Sequence, residues 1–201
     1  VSVTMSCIYP FKRKHAVGSE KWFEKISMSY SGYLRNSIDT KENKLMHSSL
    51  VKDWRNGMQH NIPISATFTF LKYINISPSF NYTERWYTSK VMQAWNETSN
   101  RLMPSDTIYG FNRVYNYNAS LSASTTMYGF YKPLPFLGNK VEMIRHRFEP
   151  SISLSAAPDF GDPRYGFYES YTYMDEDGEM YTNTYSPYAN QIFGPAPQGK
   201  Q

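Results

Sequence analysis

The sequence predicts an all-β fold: an antiparallel transmembrane β-barrel segment of about six long strands, an incomplete barrel. Three observations carry this expectation. Apolar and polar residues alternate with a period of two along most of the chain, and successive strand side chains point to opposite faces. The polar positions are mostly Ser, Thr and Asn, whereas a water-facing sheet carries charges, above all at its edges. Connections between the alternating stretches run short, long, very short, long, short, long. Membrane barrels keep short turns on the periplasmic side and long loops outside, so the lengths sort by parity.

Taken in order, Val1 to Ile8 sets Val1, Val3, Met5 and Cys7 in phase, and Pro10 stops this first strand. The link PFKRKHAVGSEK leads to a second strand, Trp22 to Leu34, in which Ile26, Met28, Tyr30 and Leu34 flank Ser27, Ser29 and Ser31. Ser37 to Asn56 reads as a long polar loop. The hairpin Gly57 to Tyr87 follows and is the clearest element. On its first arm His60, Ile62, Ile64, Ala66, Phe68 and Phe70 oppose Gln59, Asn61, Ser65, Thr67 and Thr69. Beyond Leu71-Lys72-Tyr73, its second arm sets Ile74, Ile76, Pro78, Phe80, Tyr82 and Trp86 against Asn75, Ser77, Ser79, Asn81, Thr83 and Arg85. These arms are long against the usual strand of about five or six residues.

The second arm is expected to run out near Lys90, and Val91 to Asp106 to form another long polar loop. Tyr109 to Tyr131 gives the longest alternation, with Tyr115, Tyr117, Ala119, Leu121, Ala123 and Met127 opposite Asn116, Asn118, Ser120, Ser122, Ser124 and Thr126. A short turn is expected at Pro133, Pro135 and Gly138. The sixth strand, Val141 to Ala156, places Ile144, His146, Phe148, Ile152 and Leu154 against Arg145, Arg147, Glu149, Ser151, Ser153 and Ser155. Residues 157–201 are expected to form a long extracellular loop. The whole chain, 1–201, then reads as an internal part of an outer-membrane β-barrel domain, continuing in both directions, because open edges in lipid are very costly.

Composition agrees. Aromatic residues make up 17% of the 201 residues, with 18 Tyr, against 19% charged. Tyr and Trp suit a water–lipid boundary. A mean hydropathy of -0.60 argues against membrane helices but not against strands that dilute each apolar residue with a polar neighbour. The net charge of +4 comes with no dense basic run for nucleic acid. Cys7 stands alone, so no internal disulfide framework is possible.

For chemistry, the densest charged cluster is Arg145-His146-Arg147-Phe148-Glu149. Period two puts Arg145, Arg147 and Glu149 together on the Ser-lined face, the expected lumen. There they would either meet an anionic, phosphorylated ligand or form an Arg–Glu ladder holding register, the reading we favour. His146, on the apolar side, reads as an interfacial or packed residue. Asp175-Glu176-Asp177-Gly178-Glu179 lacks the full spacing of a calcium loop and reads as an acidic turn tip. The four His (His15, His47, His60, His146) are dispersed, and no nucleophile–base pair, paired carboxylates or metal-ligand spacing appears. No enzymatic activity, cofactor or metal is expected.

The segment KVEMIRHRFEPSISLSAAPDFG (Lys140 to Gly161) resembles the RH-x-x-x-P-S strand of the LPS-assembly protein LptD (OstA/Imp) family, in forms associated with Bacteroidetes. KWFEKISMSYSG (Lys21 to Gly32), NGMQHNIPIS (Asn56 to Ser65), LKYINISPSFNYTERWY (Leu71 to Tyr87) and DTIYGFNRVYNYNASLSASTTMYGFY (Asp106 to Tyr131) are similar to the same family's barrel. The resemblance implies a slice of the barrel wall of a translocon in the cell outer membrane of a Gram-negative bacterium. Such a wall delivers lipopolysaccharide to the outer leaflet, among membrane lipids, with an LptE-like plug lipoprotein and a periplasmic Lpt bridge as partners. The residue pattern itself also fits a passive porin, or a secreted β-solenoid whose apolar rows would pack into one interior. The loop parity further predicts that Asp177 is reachable from outside the cell and Leu137 is not.

Overall fold

A computed structural model describes residues 1–15, 18–41, 52–132, 143–175 and 177–200. The expected turn at Pro133, Pro135 and Gly138, with Leu137, lies outside these residues, as do His47, Glu176 and the start of the sixth strand at Val141.

The chain is an antiparallel meander. Strands β1 (Ser2–Ile8), β2 (Ser27–Ser37), β3 (Arg55–Ser65), β5 (Ile74–Asn96), β6 (Arg101–Thr125) and β9 (Ser151–Ala156) are hydrogen-bonded in that order, and β4 (Phe68–Phe70) also pairs with β5. Strands β7 (Met127–Tyr131) and β8 (Ile144–Phe148) form a separate ladder, as do β10 (Glu169–Met174) and β11 (Met180–Tyr185). The sheet is open at β1 and β9 and does not close on itself.

Register reduces these pieces to six long passes. Ile64 faces Phe80 and Phe68 faces Ile76 in one frame; between them the Ala66 amide donates to the Pro78 carbonyl at 3.1 Å. β3 and β4 are therefore one arm with a short interruption. Likewise Met127 faces Phe148 and Ser124 faces Ser151 in a common frame, and the Thr125 amide donates to the Pro150 carbonyl at 3.2 Å. Pro150 has no N–H to return, so the ladder breaks there while the strand continues. The expected sixth strand is thus one pass in two hydrogen-bonded pieces.

Two boundaries differ from the sequence reading. Trp22–Lys25 is a 3-10 turn, not the start of the second strand. Its Glu24 carboxylate accepts from Arg13 Nε at 2.6 Å, Arg13 Nη2 at 2.9 Å and the Lys21 amide at 2.7 Å, and this ties the first link shut. The second correction is larger. Val91 to Asp106 is not a loop: β5 runs on to Asn96, turns over four residues and returns from Arg101, with Trp95 facing Leu102. Strand pairing is made by backbone groups whatever the side chains, so a polar sequence zips as readily as an apolar one once its register is set by the hairpin below. The opposite turn, Leu71-Lys72, takes positive φ at both residues (50° and 67°), the sense that tight hairpins require.

Apart from Tyr115 and Tyr117, which pack against rings of residues 160–167, the apolar rows of the meander stay outside the buried core among the described residues. Ile152 and Leu154 are 66% and 67% exposed, and Val3, Phe80 and Leu121 are exposed with them. The buried core lies elsewhere, at the end of the sheet away from Leu71-Lys72. There residues 157–200 fold back and bury Phe160, Phe167, Tyr188 and Ala196 against Tyr87 of β5 and Val114 of β6. This segment carries a 3-10 turn (Pro163–Tyr165) and the β10–β11 hairpin, where the Asp175 amide donates to the Glu179 carbonyl at 2.9 Å. We call it the cap.

Candidate functional site on the polar face

The register lines up like with like across the meander. Ser27, Ser65, Ser79, Ser120 and Ser155 form one continuous row. Their hydroxyls bridge, Ser27 to Ser65 at 3.1 Å and Ser79 to Ser120 at 2.6 Å. A second row runs Thr4, Ser31, Asn61, Thr83, Asn116. Rows of Ser122–Ser153 and Ser124–Ser151 continue it on the other side. Small hydroxyls and amides have short stems and pair with one another across strands, so these rows are flat and rich in hydrogen-bonding groups.

Arg145, Arg147 and Glu149 all fall on this face, in frame with the serines of β9. Arg147 pairs with Glu149, which also accepts from Thr126 Oγ1 at 3.1 Å. Arg145 lies 5.6 Å over the Tyr128 ring. His146 points to the opposite, apolar face, across from Gly129. The structure thus brings the three residues singled out by sequence into one patch, close to the Leu71-Lys72 end, and adds Tyr128 and Phe130 directly opposite Arg147 and Arg145.

The other end of the polar face is covered by the cap. Tyr87 Oη donates to the Gly194 carbonyl at 2.7 Å, and Gln191 Nε2 donates to the Ser89 carbonyl at 2.9 Å. Tyr188 Oη bonds Asn112 at 3.3 Å, and the Val91 amide donates to the Pro187 carbonyl at 3.0 Å. Asp159 pins the cap's two ends together, accepting from the Gly161 and Gly199 amides at 2.8 Å each. Those backbone donors hold its carboxyl below the usual range, while burial pushes the Tyr188 hydroxyl up. Gly57 lets the cap close. A Cβ there would strike Ile192 and come within 3.0 Å of the Phe193 ring. None of these contacts was expected from sequence. The readable signal was the aromatic content of residues 157–201, where Phe160, Phe167 and Tyr188 supply the buried rings and Tyr165 packs against them half-buried.

The apolar face has one polar belt. Glu84 accepts from Arg113 Nε at 2.6 Å, from Arg113 Nη2 at 3.0 Å, from Trp86 Nε1 at 2.6 Å and from the Tyr82 hydroxyl. Beside it the His60 ring packs tilted against Trp86, with centroids 4.4 Å apart, and bonds the Tyr30 hydroxyl through Nδ1 at 2.8 Å. Below the belt Trp22, Ile26, Ile64, Phe68, Pro78 and Phe80 line a shallow apolar groove of about 350 Å³.

Among the described residues no three His, Cys, Asp or Glu side chains gather into a metal site. The arrangement offers hydrogen bonds and guanidinium charge along a surface, which suits contact with a polar cargo over a path. The model of one protein family, described as LptD protein, matches residues 1–201. No curated protein and no solved structure matches the chain.

Proposed function

Because the chain belongs to the LptD protein family, whose members act in lipopolysaccharide transport and assembly at the outer membrane and not as enzymes, we propose that it forms part of the wall of an outer-membrane β-barrel that delivers lipopolysaccharide to the outer leaflet. The observation that carries this reading is the separation of faces. Over six antiparallel passes one side is Ser, Thr and Asn, and the other is apolar and exposed. A wall between hydrocarbon and a polar conduit requires that division, since the apolar rows meet lipid while strand pairing takes up the backbone polar groups between neighbouring passes.

Dimensions support it. The Glu84 belt carries Tyr30, Tyr82, Trp86 and Tyr115, and at the far end Trp22, Phe70 and Tyr73 are exposed. At ~3.4 Å per residue and a tilt of ~40°, the strand from Glu84 down to Tyr73 spans roughly 28 Å, close to the ~25 Å apolar band of such barrels. In this reading the cap and the long β5–β6 hairpin stand on the extracellular side. Arg145, Arg147 and Glu149 line the lumen near the periplasmic mouth. An LptE-like plug lipoprotein and a periplasmic Lpt bridge are the partners such a wall would serve.

Conditional depletion of the full-length protein tests the function: surface lipopolysaccharide should fall while lipopolysaccharide accumulates inside the cell. Unchanged surface lipid with slower uptake of small solutes would replace the reading with a porin. Topology has its own test. Cysteines placed at Asp177 and at Lys72 and exposed to an impermeant thiol reagent on intact cells should label at Asp177 only. The reverse pattern would invert the orientation.

A further inference from the structure

Most arginines near the polar face have an answering group. Arg55 pairs with Asp39 and Arg147 with Glu149, and on the opposite face Arg113 pairs with Glu84. Arg35 and Arg145 lie over the rings of Phe193 and Tyr128 at 5.7 Å and 5.6 Å. Arg85 differs. It sits in the middle of β5 on the polar face, between Gln59 of β3 and Val114 of β6. Its Nη1 donates to Asn116 Oδ1 at 2.7 Å. Its Nε–H is closed off from solvent and meets no acceptor among the described residues. Among the described residues no carboxylate pairs with it.

The neighbours are all neutral. Thr83 and Tyr87 flank Arg85 along the strand, and Asn61 and Asn116 lie in the adjoining row. On one side the cap seals Val114 and Tyr87, 0% and 1% exposed. On the other the guanidinium turns, through its bond to Asn116, toward the open Asn and Ser rows. A half-buried cation with no counter-charge among its neighbours is costly, and native structures answer such groups with water or a ligand. A guanidinium beside side-chain amides and hydroxyls suits phosphate, which its remaining Nη2 meets while the amides donate to the other oxygens.

We propose that Arg85, at the margin of the cap, is a binding site for a phosphate group carried on the saccharide part of the lipopolysaccharide that passes along the polar face. This rests on the conduit reading above and names the residue that grips the cargo within it.

The test uses full-length protein in its membrane, carrying a photo-crosslinking amino acid at position 59, directly opposite Arg85, or at position 122, farther along the same face. Lipopolysaccharide should crosslink at both. Arg85→Gln should lower crosslinking at position 59 at least fivefold and leave position 122 unchanged; Arg85→Lys should restore much of the loss. In the purified protein, phosphatase-treated lipopolysaccharide should lose the signal at position 59 alone. Four results overturn the proposal while leaving the conduit intact: crosslinking at 122 but not at 59, an unaltered signal at 59 in Arg85→Gln, equal loss at both positions, or equal signal with dephosphorylated lipid. Inorganic phosphate that binds the purified protein without competing for the position-59 crosslink also overturns it, as an adventitious ion only. Absence of crosslinks at both positions refutes the conduit itself and the proposal with it.

Discussion

Glu24 shows how a single side chain closes a connection. Its carboxyl, ordinarily near 4.5, is held down to about 2 by the Arg13 guanidinium and by the Lys21 amide. A folded pKa below the unfolded one gives stability that is complete above the unfolded value and is lost as pH falls through the folded one. Hydrogen exchange at the Arg13 and Lys21 amides, corrected for intrinsic rates, should therefore stay slow down to about pH 4.5 and quicken between 4.5 and 2. Glu24→Gln should abolish that pH dependence; a wild-type profile with no break in this window would dismiss the clasp. Gly57 is the converse case, where the absence of a side chain matters. Gly57→Ala should destabilise cap docking by about 1–3 kcal/mol through overpacking, seen as faster proteolysis within residues 186–200. Undiminished resistance would mean that Ile192 and Phe193 yield freely. Neither contact was readable in advance. Glu24 lies in a stretch that alternates like a strand, and Gly57 meets a segment far along the chain. Arg85 was legible as a polar-face residue by its period, but its lack of a counter-charge is a property of three neighbouring strands.

At the level of strands, alternation told which face each side chain takes, because the pleat has a period of two whatever the tertiary context. Arg145, Arg147 and Glu149 joined the serines of β9 for that reason. Strand ends were less legible. Polar stretches such as Asn96 to Ser105 carry no apolar beat to mark them as paired, yet β5 and β6 extend through most of that region on register alone. The serine rows should behave as coupled units. Removing one hydroxyl of the Ser79–Ser120 bridge leaves a partly buried partner wanting, whereas removing both does not. Urea unfolding of Ser79→Ala, Ser120→Ala and the double variant should return a coupling of about 0.5–1 kcal/mol. Strict additivity would show that the close hydroxyls contribute nothing beyond shape.

For the whole molecule, the order of six antiparallel passes followed from loop signals and alternation, and the meander carries them in that order. The cap did not follow, since its contacts depend on distant pairs: Tyr87 with Gly194, Ser89 with Gln191, Arg55 with Asn190, separated by 107, 102 and 135 residues. That distance has a kinetic consequence. Each strand of the meander pairs with a sequence neighbour, so hairpins can zip one after another at little loop-closure cost. The cap has no such local partner. Its aromatic rings find their sockets only once β3, β5 and β6 are aligned beneath them, so the chain must finish its wall before it can cover the inside. Until then those rings are an exposed, sticky segment. The step at which they dock would be the slowest to form and the first to come undone.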